Sequence, residues 1–216
     1  MNKLRVCALA TLSALALHAS AMTQSFAQTE MFQALRAGGV TLYLRHATAE
    51  WTAASDEIGV TDLAKLDARH CAPHRHLSEE GRMQAQAVRN GLQGLSVGAL
   101  EIHAAGLCRT AETARVLGTP KILEALTPTA AGTSSLRVQG ESIDKIVRAG
   151  ADGSGLRVIV GDYEVVRALF GATLAEGDAI VLKPGPQGVE ALGRIRIGEW
   201  TALQPVASAP ADRRKF

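Results

Sequence analysis

"LRVIVGDYEVVRALFG", residues 156–171, reads as a buried strand, a two-residue break and a helix. Leu156 to Gly161 is a short apolar run rich in β-branched residues, which suits the interior of a sheet. Tyr163 to Gly171 has helical composition, and Asp162 stands where a helix N-cap belongs. A strand passing so directly into a helix is a building unit of an α/β sheet.

The same alternation extends outward. Residues 29–37 predict a short helix closed by Gly38 and Gly39, and "VTLYL" at 40–44 predicts an interior strand. "LSEEGRMQAQAVRNGLQGL" predicts a helix over 78–92, with Met83, Ala87, Val88 and Leu92 at helical spacing. "ALEIHAA" at 99–105 is a strand and "RTAETARVLG" at 109–118 a helix stopped by Gly118 and Pro120. "KILEAL" at 121–126 reads as a short strand, 127–140 as loop and 141–149 as a short helix. "DAIVLKPG" at 178–185 is strand plus turn, and "VEALGRIRIGEW" at 189–200 reads as one or two edge hairpin strands. Residues 49–76 have weak periodicity and read as a long excursion over one face. The order predicts a three-layer αβα sandwich with a mostly parallel central sheet.

The ends of the chain read differently. "MNKLRVCALATLSALALHASAMTQSFA" has a basic start, Lys3 and Arg5, a short apolar run and small residues before Ala27. That is the pattern of a secretory signal peptide, and the run is too short for a comfortable membrane span. The expected organisation is a leader at 1–27, one domain at 28–203 and a flexible tail at 204–216. Removal of the leader takes away two cations and no acids, so the formal charge falls from +2 to zero. No basic excess then points to a nucleic-acid partner. No later segment reaches span length without charges, so no membrane span is expected after processing.

Ligands of parallel sheets gather at the C-terminal ends of the strands. Three marked stretches fall there: Arg45–His46, Gly106–Arg109 and Gly161–Asp162. No glycine-rich dinucleotide fingerprint follows the first strand and no Walker loop appears, so no cofactor is expected. Arg45, Arg109, an exposed helix start and the His46 imidazole make an oxyanion clamp, with His46 as a nucleophile that splits hydrolysis in two steps. Cys71 and Cys108 survive leader removal. In an exported chain they pair as a disulfide or stay as two thiols. A metal reading through His70, Cys71, His74 and His76 matches no closed site, and no metal is expected.

"TLYLRHA", "LSEEGRMQAQAV" and "LCRTAETARVLG", in this order, resemble the histidine phosphatase superfamily, also called phosphoglycerate-mutase-like, and in particular its small bacterial members, some of them exported. The resemblance spans roughly residues 38–200. It implies phosphomonoester hydrolysis in the periplasm, with His46 phosphorylated, Arg45 and Arg109 binding the phosphoryl group and a phosphorylated small molecule, or phosphate, as ligand. A protein partner is not identified. The proton donor to the leaving group is assigned by chain order to Glu124, with Glu101 and Glu141 as alternatives. Thr48 contacts phosphate or serves a turn. Arg75 matches a substrate-side cation, and a fold-back of its loop would bring Cys71 to Cys108.

One position departs. Relatives carry a second histidine in Val-Gly-His-x-x-x-x-Arg-Ala-Leu, where this chain reads "VGDYEVVRAL". Asp162 is either a catalytic acid or the N-cap of its helix. Since a carboxylate repels a phosphate dianion, the expectation is weak or altered hydrolysis, or a non-catalytic binding module that keeps the pocket. "HAAGLCR" also lacks the serines that relatives place before the arginine, and His103 offers itself as a partial substitute or as a packed strand residue.

Overall fold

The structure is a computed structural model, and it describes residues 30–50, 71, 75–127, 133–150 and 155–203. The expected leader, the tail and most of the 49–76 excursion lie outside the described residues.

Six strands form one sheet: β1 (Thr41–Arg45), β2 (Leu100–Ala104), β3 (Lys121–Ile122), β4 (Leu156–Gly161), β5 (Ala179–Gly185) and β6 (Gly188–Ile195). Their spatial order is β3-β2-β4-β1-β5-β6. The pairs β3–β2, β2–β4 and β4–β1 are parallel, whereas β1–β5 and β5–β6 are antiparallel. The helices are α1 (30–37), α2 (Glu79–Gly94), α3 (Cys108–Leu117), α4 (Thr133–Ala149) and α5 (Tyr163–Phe170).

Period-two alternation divides the interior between the two sheet faces. Leu42, Leu44, Val158, Val160 and Val181 pack with Met31 and Leu35 of α1, Val88 and Leu92 of α2, and Ala114 and Leu117 of α3. Tyr43, Ile159, Ile180 and Leu182 point the other way, onto Ile143 and Val147 of α4 and Val165 and Val166 of α5. Helices on both faces of a mostly parallel sheet make the expected αβα sandwich.

Four local expectations need correction. Met83, expected on the apolar side of its helix, is exposed, because the buried face of α2 runs through Gly81, Ala85, Val88 and Leu92. The helix expected at 141–149 begins at Thr133. Its early turns are Ser- and Gly-rich, so their propensity is low, and tertiary packing decides instead. Gly140 lies against Leu169 of α5, where even a Cβ would approach a side-chain carbon to 3.2 Å. In "KILEAL" only Lys121–Ile122 is strand, and Glu124–Leu126 closes as a 3₁₀ turn. "VEALGRIRIGEW" yields one strand, followed by a 3₁₀ helix over Ile197–Leu203 that buries Trp200. Trp200 packs so closely on α2 that a Cβ at Gly91 would meet its ring at 2.8 Å.

The topology leaves β1 and β4 side by side, with Arg45 in register with Gly161. Their C-terminal ends, the start of α3 and the entry to the antiparallel β5 meet at one edge.

Candidate functional site

His46 is the first residue after β1 and is fully buried. The backbone groups of His46, Ala47 and Thr48 are all held. The His46 N–H donates to the Gly161 carbonyl at 3.0 Å, and the His46 carbonyl accepts from the Gly177 N–H at 3.0 Å. The Ala47 N–H donates to Thr113 Oγ1 at 3.0 Å. Thr48 donates twice to Gln84 Oε1, from its N–H at 3.0 Å and its hydroxyl at 3.1 Å. Thus the hydroxyl of Thr48 serves the turn rather than a ligand.

The motif at the start of α2 is explained by this loop. Ser78 caps the helix, its hydroxyl accepting from the Gly81 N–H at 3.0 Å and donating to the Thr48 carbonyl at 3.2 Å. Gly81 lies under Thr48 with no space for a side chain, since a Cβ there would stand 1.9 Å from the Thr48 carbonyl oxygen. Ser78, Gly81, Gln84 and Thr113 therefore position the histidine without touching the crevice themselves.

The geometry fixes the histidine tautomer. Nδ1 lies 2.8 Å from the Ala47 carbonyl, which can only accept, so Nδ1 carries the proton. Nε2 then carries the lone pair, and it has no hydrogen-bond partner. Burial lowers the imidazole pKa to about 4; Asp162 and the Ala47 hydrogen bond oppose the shift, while Arg109 and Arg45 reinforce it. The ring is neutral at pH 7, with the lone pair of a buried Nε2 near Asp162 and Glu176.

Arg45 donates from Nη1 to the Leu174 carbonyl at 2.8 Å, and its guanidinium carbon lies 4.8 Å from the Tyr163 ring centroid. Arg109, in the first turn of α3, is buried against Asp162, with Nη2 at 2.5 Å and Nε at 3.2 Å from Asp162 Oδ2. Asp162 Oδ1 accepts from the Tyr163 N–H at 2.8 Å, so the residue is also the N-cap of α5. The Tyr43 hydroxyl donates to the Asp162 carbonyl at 2.8 Å. That bond runs past Gly161, where a Cβ would collide with the hydroxyl at 2.1 Å.

Burial alone raises the Asp162 carboxyl pKa. The His46 imidazolium that forms below about pH 4 and the Arg109 guanidinium, together with hydrogen bonds from Arg109 and Tyr163, outweigh burial and hold it below the ordinary carboxylate value. An ionised, doubly engaged carboxylate is not set up as a proton donor. It stands 3.9 Å from His46 Nε2 and takes up charge that Arg109 would otherwise offer a ligand.

The loop before β5 supplies a residue that sequence reasoning missed. Glu176 Oε1 lies 3.3 Å from Arg75 Nη2, 3.5 Å from Arg45 Nη2 and 4.0 Å from His46 Nε2. Arg75 thus shares Glu176 with Arg45. A disulfide joins Cys71 to Cys108, with Cα atoms 5.7 Å apart, and ties the segment before Arg75 to the start of α3. A disulfide-bonded Cys71 is no metal ligand, and His70 and His74 lie outside the described residues.

Other expected residues fall elsewhere. Glu124 is exposed in the 3₁₀ turn after β3, and no described hydrogen bond or ion pair joins it to the His46 cluster. Glu141 pairs with Arg137 one helical turn away. Glu101 pairs with Arg157 and with His103, whose Nε2 is 3.2 Å from Glu101 Oε1, so His103 is a packed strand residue. Among the described residues no cluster of three or more His, Cys, Asp or Glu could hold a metal, and no helix is long and apolar enough to cross a membrane.

By sequence, no family model matches the chain and no curated protein matches it. Its fold is shared with solved histidine phosphatases. The structure of the protein histidine phosphatase SixA complexed with tungstate superposes with a TM-score of 0.54 at 14% identity, covering 74% of this chain and 98% of that one. A phosphoserine phosphatase mutant from Entamoeba histolytica in complex with phosphoserine gives 0.50 at 12% identity, covering 72% and 95%. Mycobacterial glucosyl-3-phosphoglycerate phosphatase complexed with VO3 gives 0.50 at 14% identity, covering 70% and 96%. At these identities the likeness establishes the histidine-phosphatase fold.

Proposed function

We propose that this chain is an exported, periplasmic phosphomonoesterase of low turnover that works through a phosphohistidine at His46. The observation that carries the reading is the tautomer: Nδ1 is committed to the Ala47 carbonyl, leaving the Nε2 lone pair without a hydrogen-bond partner beside the two carboxylates, Asp162 and Glu176, that hold Arg109 and Arg45. In the first step Nε2 attacks phosphorus, the P–O bond to the leaving oxygen breaks, and that oxygen takes a proton from solvent water. In the second, water attacks the phosphohistidine and releases inorganic phosphate. Arg45 and Arg75 stabilise the equatorial oxygens in both steps, and Arg109 contributes to the extent that Asp162 releases it. The basic start and short apolar run of residues 1–27 support export.

A second reading, a non-catalytic module that binds phosphorylated ligands, is favoured by the two carboxylates, Asp162 and Glu176, placed at 3.9 and 4.0 Å from Nε2. One experiment separates the two. Mature protein, His46→Ala and Asp162→His are assayed with 4-nitrophenyl phosphate from pH 4 to 8, and orthovanadate binding is measured in parallel. Hydrolysis abolished in His46→Ala and raised in Asp162→His supports the enzyme. Vanadate binding without hydrolysis in the parent and Asp162→His supports the module.

A further inference from the structure

Glu176 is not a casual surface acid. The loop that carries it is pinned on both sides of the residue. The Ala175 N–H donates to Asp178 Oδ2 at 3.0 Å, and the Gly177 N–H donates to the His46 carbonyl at 3.0 Å. Gly177 takes a positive φ of 79°, open to glycine at little cost, which lets the backbone turn between the two anchors. Asp178 is itself buried and bonded to Arg194 and to the Ile197 N–H. The result is a carboxylate that shares one oxygen between Arg45 and Arg75 over the unpartnered Nε2.

That oxygen stands where a substrate oxygen has to be. A reacting phosphorus approaches its nucleophile at about 3–3.5 Å, with oxygens fanned around it. Glu176 Oε1, at 4.0 Å from Nε2 and between the two arginines, falls within that fan. A phosphoryl group can dock on Arg45 and Arg75 only by displacing the carboxylate, and the pinned backbone keeps the displaced group at the rim.

Charge then selects the ligand. Arg45, Arg75 and Arg109 bring three positive charges, and Asp162 and Glu176 remove two. A phosphomonoester dianion leaves this pocket with a net negative charge and a displaced carboxylate lacking a partner. A ligand that also carries an ammonium close to phosphorus leaves it neutral and supplies that partner. We propose that Glu176 is a specificity-determining residue that tunes the crevice to phosphomonoesters bearing a cationic group beside the phosphoryl group, the amino-alcohol phosphate class. This rests on the reading of the crevice as a phosphoryl site.

The test uses two non-hydrolysable isosteres, 3-aminopropylphosphonate and butylphosphonate, with dissociation constants measured by calorimetry on the mature protein, Glu176→Gln and Glu176→Asp. The expected result for the parent is a five- to tenfold preference for the aminopropyl compound, about the strength of a partly exposed ion pair. In Glu176→Gln butylphosphonate binds more tightly and the preference falls below twofold, while Glu176→Asp retains part of it. Equal binding of the two compounds by the parent, or a preference that survives Glu176→Gln, overturns the assignment. If 4-nitrophenyl phosphate is still hydrolysed in that case, the specificity assignment alone falls. If neither phosphonate binds and nothing is hydrolysed, the phosphoryl reading of the crevice falls with it.

Discussion

The guanidinium of Arg109 closes on a single oxygen of Asp162, with Nη2 at 2.5 Å and Nε at 3.2 Å. The pair is buried, so its charges interact through little water, and an arginine of the proposed phosphoryl site is held internally. Asp162→Asn keeps the N-cap acceptor and removes the charge. Orthovanadate affinity should rise about tenfold, and stability should fall by about 1–3 kcal/mol as Arg109 loses its counter-charge. Vanadate titration and urea unfolding check both; unchanged affinity would mean that Arg109 does not serve the ligand.

Histidine titration provides a reading independent of turnover. Nitrogen-15 NMR of labelled protein, assigned with His46→Ala, should show His46 as the Nδ1–H tautomer at pH 7 and half-protonated near pH 4. The folded pKa lies below the ordinary value of 6.5, so the unfolded chain binds more protons between the two. The stability that neutral His46 contributes is complete above pH 6.5 and is lost as pH falls towards 4. A midpoint near 6.5 would contradict the buried, neutral imidazole.

Gly81→Ala places a methyl 1.9 Å from the Thr48 carbonyl oxygen, with backbone on both sides of the clash. The expected cost is about 1–3 kcal/mol, and any hydrolysis should fall with it because the His46 loop must move. Thermal unfolding and 4-nitrophenyl phosphate turnover measure the two effects. The neighbouring Met83 is 63% exposed, so Met83→Ala serves as the control within the same helix.

Thr113→Val keeps the shape of the side chain and removes the acceptor of the Ala47 N–H. A buried donor left without a partner costs about 1–3 kcal/mol. Stability should drop by that amount, and the His46 resonance should shift because the Ala47 carbonyl that holds Nδ1 belongs to the residue Thr113 anchors. A wild-type spectrum would show that the Ala47 bond does not position the ring.

Reduction of the Cys71–Cys108 bridge, or the double Cys→Ser variant, opens a closure of sequence separation 37. The expected loss is about 2–4 kcal/mol. Because the bridge anchors the segment before Arg75, KM for an aryl phosphate should rise more than kcat falls. The opposite split would place the bridge's influence on His46 instead.

Much of this was legible before any coordinates. Arg45, His46, Arg109 and Asp162 could be gathered in advance because each follows or caps an element at the same edge of a parallel sheet, where strand order alone brings residues together. Asp162 also declared its cap, being a short acid directly before a helical run. The early turns of α4 were not legible, since "TSSLRVQG" reads as loop until Leu169 is seen against Gly140. Glu176 carried no signal beyond a Gly-Asp pair before a strand, and its importance depends on an antiparallel neighbour that local pattern does not announce. Ser78, Gly81 and Gln84 were visible as a motif, but their service to Thr48 is a tertiary fact.

Because β5 runs against β1, it enters the sheet at the edge where the parallel strands β1 and β4 leave it. His46 and Glu176 therefore come from two stretches of chain that meet head to tail, one ending a strand and the other leading into one. Substitution of Glu176 alone can reset what the site accepts while Gly177 keeps its bond to the His46 carbonyl, so ligand choice and chemical reactivity are free to drift apart in descendants of this sequence.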